Sequence, residues 1–141
     1  MDKILKQLPM EEDELQFTRF NEDTVWQIGS NLVTHSVTEH IPITIDITRA
    51  DQQIFHASRP GTSADHVEWI KRKVRLVYRL GHSSYFIGQL LKGRGRRLED
   101  AYFRSESLYA PHGGCFPVIL KGAGVIGAIT VSGLAQEDII N

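Results

Sequence analysis

The chain has 141 residues, of which 41% are hydrophobic, and a formal net charge of −1 with an isoelectric point near 6.6. This balance indicates a folded protein and excludes wholesale disorder and a globally basic nucleic-acid binder. No apolar run approaches the roughly 18 residues of a membrane span, so none is predicted. The single cysteine, Cys115, cannot form an internal disulfide, which favours a reducing, cytoplasmic location.

Charge is distributed unevenly along what we predict to be one domain, residues 1–141. Residues 1–13 are predicted to form a flexible or arm-like segment, and acidic residues occupy positions 11–14. Residues 71–97 contain nine Lys or Arg and no Asp or Glu. A basic face is therefore expected to meet an acidic arm, either within one chain or between subunits.

The first half of the chain predicts a helix followed by a hairpin. Apolar residues recur at helical spacing over Thr24–His40, after a capping Asn21 and before Pro42. Isoleucines at 43, 45 and 47 then alternate with polar residues, as in a strand with one core face and one polar face. We expect the polar face to be solvated or covered by another subunit. A second strand, Gln53–Ala57, completes the hairpin.

The second half predicts two helices and two strands. One helix begins near Asp65, with an Asp65…Glu68 pair resembling a capping box, and ends at Gly81. The next helix is capped by Ser83 or Ser84 and ends at Gly93. Two strands follow, and residues 121–124 form the tight turn between them. The predicted strands are Cys115–Leu120 and Val125–Ser132.

This order predicts an α+β domain, because helices do not separate each strand from the next. We expect an antiparallel five-stranded sheet with helices packed mainly on one side, the fifth strand being a short one at Phe17 and Phe20. Small residues at Gly127 and Ala128 permit close approach by a helix, a second subunit or a flat ligand.

Residues 122–127 match the dinucleotide pattern GxGxxG, but the context argues against nucleotide binding there and favours the glycines of a hairpin. Such glycines must open a helix, whereas these open an apolar, β-branched strand. The histidines lack metal-ligand spacing, so no zinc site is predicted.

The most distinctive stretch is the loop at residues 111–117, Pro-His-Gly-Gly-Cys-Phe-Pro. Two glycines allow unusual backbone conformations whose amides could face a ligand. His112 is a candidate general base or iron ligand, and the alternative is a structural loop with a hydrogen-bonded histidine. Cys115 is interpreted as a buried, inert thiol.

Several separate motifs together resemble the GlcG/HbpS-like superfamily of haem-degrading domains, closest to its short uncharacterised cytosolic branch. The motifs lie in order at residues 43–47, 55–57 with 60–62, 69–73, 81–84, 112–117 and 127–134 with 137–138. The sequence departs from the branch at His66, often asparagine, and at Cys115, commonly a small apolar residue. It also ends soon after Glu137-Asp138, where the family usually continues into a terminal helix.

The resemblance implies a profilin- or PAS-like layered fold, assembly into dimers or larger rings, and binding of haem or a related tetrapyrrole in some relatives. Haem degradation is implied by the resemblance only. His112 is the candidate iron ligand, and Arg72 and Lys73 are expected to neutralise propionates. The candidate ligand-binding residues are Trp69, Arg72, Lys73, Ser83, Ser84, His112, Gly113, Gly114 and Phe116.

Two other functions remain open at this point. One is a non-enzymatic interaction or assembly protein that uses the polar sheet face, the basic helix and the acidic arm as contact surfaces. The other is a sensor of a small anion, or a hydrolase, that uses the His112 loop. A homo-oligomer and a small-molecule ligand are the expected partners, and neither a membrane nor a nucleic acid is expected.

Overall fold

A computed structural model describes Phe17 and residues 19–133, and the predicted arm at residues 1–13 and the end of the chain lie outside the described residues. The element order confirms the α+β class and the antiparallel sheet. No helix among the described residues is long and apolar enough to cross a membrane. The helices are α1 (Glu22–Glu39), α2 (Ala64–Leu80), α3 (Ser84–Arg94) and α4 (Leu98–Tyr102), and the strands are β1 (Thr44–Arg49), β2 (Gln52–Ser58), β3 (Cys115–Leu120) and β4 (Gly124–Ser132).

The sheet of the described residues has four strands in the order β2-β1-β4-β3, all antiparallel, so the prediction of five strands was wrong. The expected fifth strand is reduced to one isolated bridge between Phe17 and Leu120. The Phe17 N–H donates to the Ile119 carbonyl, and its own carbonyl accepts from the N–H of Lys121. Phe20 instead packs into the core beside Phe17.

Local sequence explains how the helices begin. The Asn21 side chain accepts a hydrogen bond from the Thr24 N–H at 2.9 Å, so α1 begins just after Asn21. At α2 the expected Asp65…Glu68 pair is not the cap. The Ser63 N–H donates to Nδ1 of His66 at 3.1 Å, so the unusual histidine helps to fix this helix entrance.

Both faces of the sheet are covered within one chain: α1 packs on one face, and α2, with α3 and α4 packed behind it, covers the other. On one face, Ile47 and Val118 form a core with Phe20 and Val25 of the α1 region. On the other face, Val77 of α2 packs against the sheet, together with Cys115 and Ala128. Of the three alternatives predicted for the small residues of this strand, Ala128 therefore fits the first, close approach by a helix.

The alternating polar residues of β1 are buried beneath α2 rather than exposed to solvent or to another subunit. Thr44, Asp46 and Thr48 are all buried. They are tolerated there because neighbouring groups satisfy them. Thr48 Oγ1 lies 2.9 Å from the Tyr78 hydroxyl, and Asp46 accepts hydrogen bonds from β2.

A second apolar cluster joins α2 to α3 and α4, behind the helix that covers the sheet. It is formed by Leu76, Ile87, Leu91 and Leu98. Helix α3 begins at the predicted serines but runs to a C-cap at Gly95 rather than ending at Gly93. Helix α4, which was not predicted, completes the cluster through Leu98.

Candidate ligand-binding site

Four of the predicted site residues lie together where α2 meets the loop that precedes β3. The ring centroids of Trp69 and His112 are 5.5 Å apart in an edge-to-face arrangement. The guanidinium carbon of Arg72 lies 4.5 Å from the centroid of the Trp69 ring. Lys73 is close enough for its charge to affect His112. We call these residues, Trp69, Arg72, Lys73 and His112, the His112 cluster.

The loop carrying His112 is attached to α2 by backbone and side-chain hydrogen bonds. The Ala110 N–H donates to the Arg72 carbonyl at 3.1 Å. Nη2 of Arg72 donates to the carbonyl oxygen of Glu106. Nε of Arg72 is buried and has no hydrogen-bond partner among the described residues. The guanidinium therefore retains one unused donor within the cluster.

The environment favours the neutral form of the His112 imidazole. Partial burial is the main cause that lowers the pKa of His112, and the positive charges of Lys73 and Arg72 lower it further against the opposing charge of Glu106. The residue as a whole is nevertheless exposed. The cluster thus presents a neutral imidazole at the surface, with a nitrogen lone pair available to an iron ion or a proton.

Lys73 is the buried member of the cluster, with only 7% of its surface exposed. Burial lowers the pKa of Lys73, and the neighbouring Cys115 opposes that effect. No carboxylate among the described residues lies within ion-pair distance of its ammonium group. Lys73 is therefore a weak candidate for a contact between subunits, because its side chain is already covered by its own chain.

The predicted serines support the loop rather than line a surface. Ser83 and Ser84 are both buried. Ser83 Oγ accepts from the Phe86 N–H at 3.1 Å and so caps α3. Ser84 Oγ accepts from the Cys115 N–H at 3.1 Å and donates to the Cys115 carbonyl at 3.4 Å. This double contact ties the start of α3 to the point where the loop becomes β3.

The remaining predicted residues are not members of the His112 cluster. Gly113 and Gly114 are buried, and the Gly114 carbonyl accepts from the Val131 N–H at 2.8 Å. Phe116 follows Cys115 on β3, so its side chain lies on the opposite face of the sheet. The structure therefore brings Trp69, Arg72, Lys73 and His112 together. It does not bring Gly113, Gly114 and Phe116 into this cluster.

One polar arrangement was missed, because it depends on strand register. His56, Asp46, Thr130 and Cys115 lie directly opposite one another across all four strands. Nδ1 of His56 lies 2.9 Å from the buried Asp46 carboxylate, and Thr130 Oγ1 donates to the Cys115 sulfur at 3.1 Å. No group of three or more His, Cys, Asp or Glu that could hold a metal ion occurs in the described part of the chain.

Comparisons with known proteins agree on one family. Residues 20–138 match the family described as haem degrading protein HbpS-like. A UPF0303 protein of Streptomyces coelicolor is 45% identical over 132 residues, which are 94% of this chain and 84% of that protein. The crystal structure of Ybr137w protein has a TM-score of 0.87 at 26% identity and matches 96% of this chain and 80% of that one. The PduOC:Heme complex, at 16% identity, shares the fold, with a TM-score of 0.65 over 82% of this chain and 84% of that one. The chain therefore belongs to the HbpS-like family.

Proposed function

We propose that the protein binds haem or a related tetrapyrrole at the His112 cluster. One observation carries the proposal: the exposed His112 ring lies edge-to-face against Trp69, 5.5 Å between centroids, beside the buried and unpartnered Nε of Arg72. Burial and the nearby positive charges lower the pKa of His112, which favours the neutral imidazole. A neutral imidazole is the form that ligates iron. The ring of Trp69 beside it offers an aromatic surface against which a flat macrocycle can pack.

The residues present also fit the acidic side chains of such a ligand. Nε of Arg72 is a buried donor without a partner, and a propionate carboxylate would satisfy it. The bound group would supply the redox chemistry of its iron. The chain would hold it through His112, pack it against Trp69 and neutralise it through Arg72.

The comparisons support this proposal without placing a ligand. The matched family carries haem in its description, and one structure with the same fold is titled as a heme complex. Those statements concern the relatives. In this chain, the contacts of the His112 cluster itself support the proposal.

Titration with haemin tests the proposed site. We expect wild-type protein to produce a saturable shift of the Soret band, and His112→Ala to weaken binding at least about tenfold or to alter the band position. Because the pKa of His112 is lowered, binding should persist as the pH falls from 7 towards the usual histidine value near 6.5.

His35→Ala is the matched control, because His35 is an exposed histidine on α1, away from the cluster. Its spectrum and affinity should equal those of the wild type. A wild-type protein that leaves the Soret band unchanged would remove the haem proposal. An unchanged titration of His112→Ala would remove His112 as the ligand.

We also propose that the chain forms a homo-oligomer, a dimer or larger. Strand β2 lies at an edge of the sheet, and unpaired backbone groups at such an edge can pair with another chain. Trp26 is 68% exposed, which leaves a large apolar side chain for a partner to cover. We expect light scattering to give at least twice the 15.9 kDa of one chain, and a mass of one chain would contradict this proposal.

A further inference from the structure

A cleft of about 780 Å³ lies along α2, and the residues that line it do not include the His112 cluster. Its volume lies within the roughly 300 to 1,000 Å³ of small-molecule sites, and it is open to solvent, because Lys71, Arg75 and Arg79 are exposed. Three cationic side chains, Lys71, Arg75 and Arg79, line it together with the carboxylate of Asp51. The lining therefore has a formal excess of two positive charges.

The cations are arranged as a ladder on one side of α2. They are four residues apart, so successive side chains rise about 6 Å along the helix axis. Lys71 forms an exposed ion pair with Glu68 at 3.2 Å. Arg75 donates to the neutral carbonyl of Leu108 at 3.0 Å. Arg79 has no carboxylate within ion-pair distance among the residues that the structure describes.

Aromatic and aliphatic side chains complete the walls of the cleft. Tyr78 and Tyr109 are half-buried in its lining, beside Val74 and Leu108. The hydroxyl of Tyr78 lies 2.9 Å from Thr48 Oγ1, which anchors this ring to the sheet. A ligand in the cleft would therefore meet flat apolar surface beside the positive charges.

We propose that this cleft binds a small organic molecule with two linked acidic groups, a diphosphate or a dicarboxylate, attached to a flat ring. Adjacent arginines match such groups because each guanidinium can donate two parallel hydrogen bonds. The Asp51 carboxylate can accept a hydrogen bond from the body of the ligand. A long nucleic-acid strand fits less well, because Asp51 repels successive phosphates and the chain as a whole is slightly acidic.

Isothermal titration with ADP and with benzene-1,3-dicarboxylate distinguishes the two acidic chemistries. We expect one of these probes to bind the wild-type protein and Arg79→Gln to weaken it at least about tenfold. Arg79→Lys keeps the charge and should retain part of the affinity. Arg94→Gln makes the same charge change on α3, outside the cleft, and should bind like the wild type.

The inference is overturned if neither probe binds at millimolar concentration, or if Arg94→Gln loses as much affinity as Arg79→Gln. Tighter binding of a single-stranded oligonucleotide than of either probe would instead assign the cations to a nucleic acid. The cleft is independent of the haem proposal, so His112→Ala should leave binding of the probe unchanged. Loss of haemin binding alone would therefore leave this inference standing.

Discussion

Replacing Gly88 by alanine is expected to lower the free energy of unfolding by about 1 to 3 kcal/mol. A β-carbon at this position of α3 would lie 2.2 Å from the carbonyl oxygen of Pro111. Because the obstacle is backbone, no side-chain rotation can relieve the clash. Helix α3 and the loop before His112 must move apart, and urea denaturation followed by circular dichroism measures the cost.

Gly93→Ala is the matched control, since Gly93 is exposed in the same helix. Alanine is a better helix former than glycine, so this variant should be as stable as the wild type or more stable, by up to about 1 kcal/mol. Equal stability of Gly88→Ala and Gly93→Ala would show that the contact with Pro111 does not constrain the loop.

The second large effect concerns the alkaline stability of the wild-type protein. Burial raises the pKa of the Cys115 thiol from 9.0 to about 12, against the opposing hydrogen bond from Thr130 and the charge of Lys73. Between these values the unfolded chain loses the thiol proton while the folded chain retains it. Stability from this group is therefore fully present below pH 9 and is lost as the pH rises towards 12. By pH 10.5 the loss should reach about 2 kcal/mol.

Cys115→Ser isolates this effect, because serine has a similar size and does not titrate in this range. Other groups also titrate here. Burial lowers the pKa of Lys73 and raises that of Tyr78, so the informative quantity is the difference between the two proteins. We expect the difference in unfolding free energy between wild type and Cys115→Ser to fall by about 2 kcal/mol from pH 8 to 10.5. Parallel stability curves would contradict a buried, protonated thiol.

Local patterns were sufficient to predict most of the secondary structure. Helical spacing and caps placed α1, α2 and α3 to within a few residues, and the alternating isoleucines located β1. Strand β3 has its predicted bounds, and the turn before β4 spans residues 121–123, one residue fewer than predicted, because Gly124 already belongs to β4. The short helix α4 was missed because five residues give too weak a periodic signal, and its stability comes from packing of Leu98 against α2 and α3.

The candidate site was only partly predictable. The sequence singled out Trp69, Arg72, Lys73 and His112 individually, and the fold places them in one cluster. It could not show that Ser84 binds the backbone of Cys115, because these residues are far apart along the chain. The sequence also indicated a basic tract at residues 71–97. It could not indicate the cleft, because the cleft forms only when the loop of Tyr109 packs beside α2.

By itself, then, the sequence determined the three longer helices, the four paired strands and the antiparallel class, because their signals come from residues a few positions apart. The tertiary structure alone decided which surfaces are buried. The alternation in β1 correctly separated an apolar set from a polar set, but it carried no information on whether water or α2 covers the polar set. Burial of the polar face of β1 depends on long-range packing and on hydrogen bonds such as the one between Asp46 and His56. Only the strand register brings these two residues together.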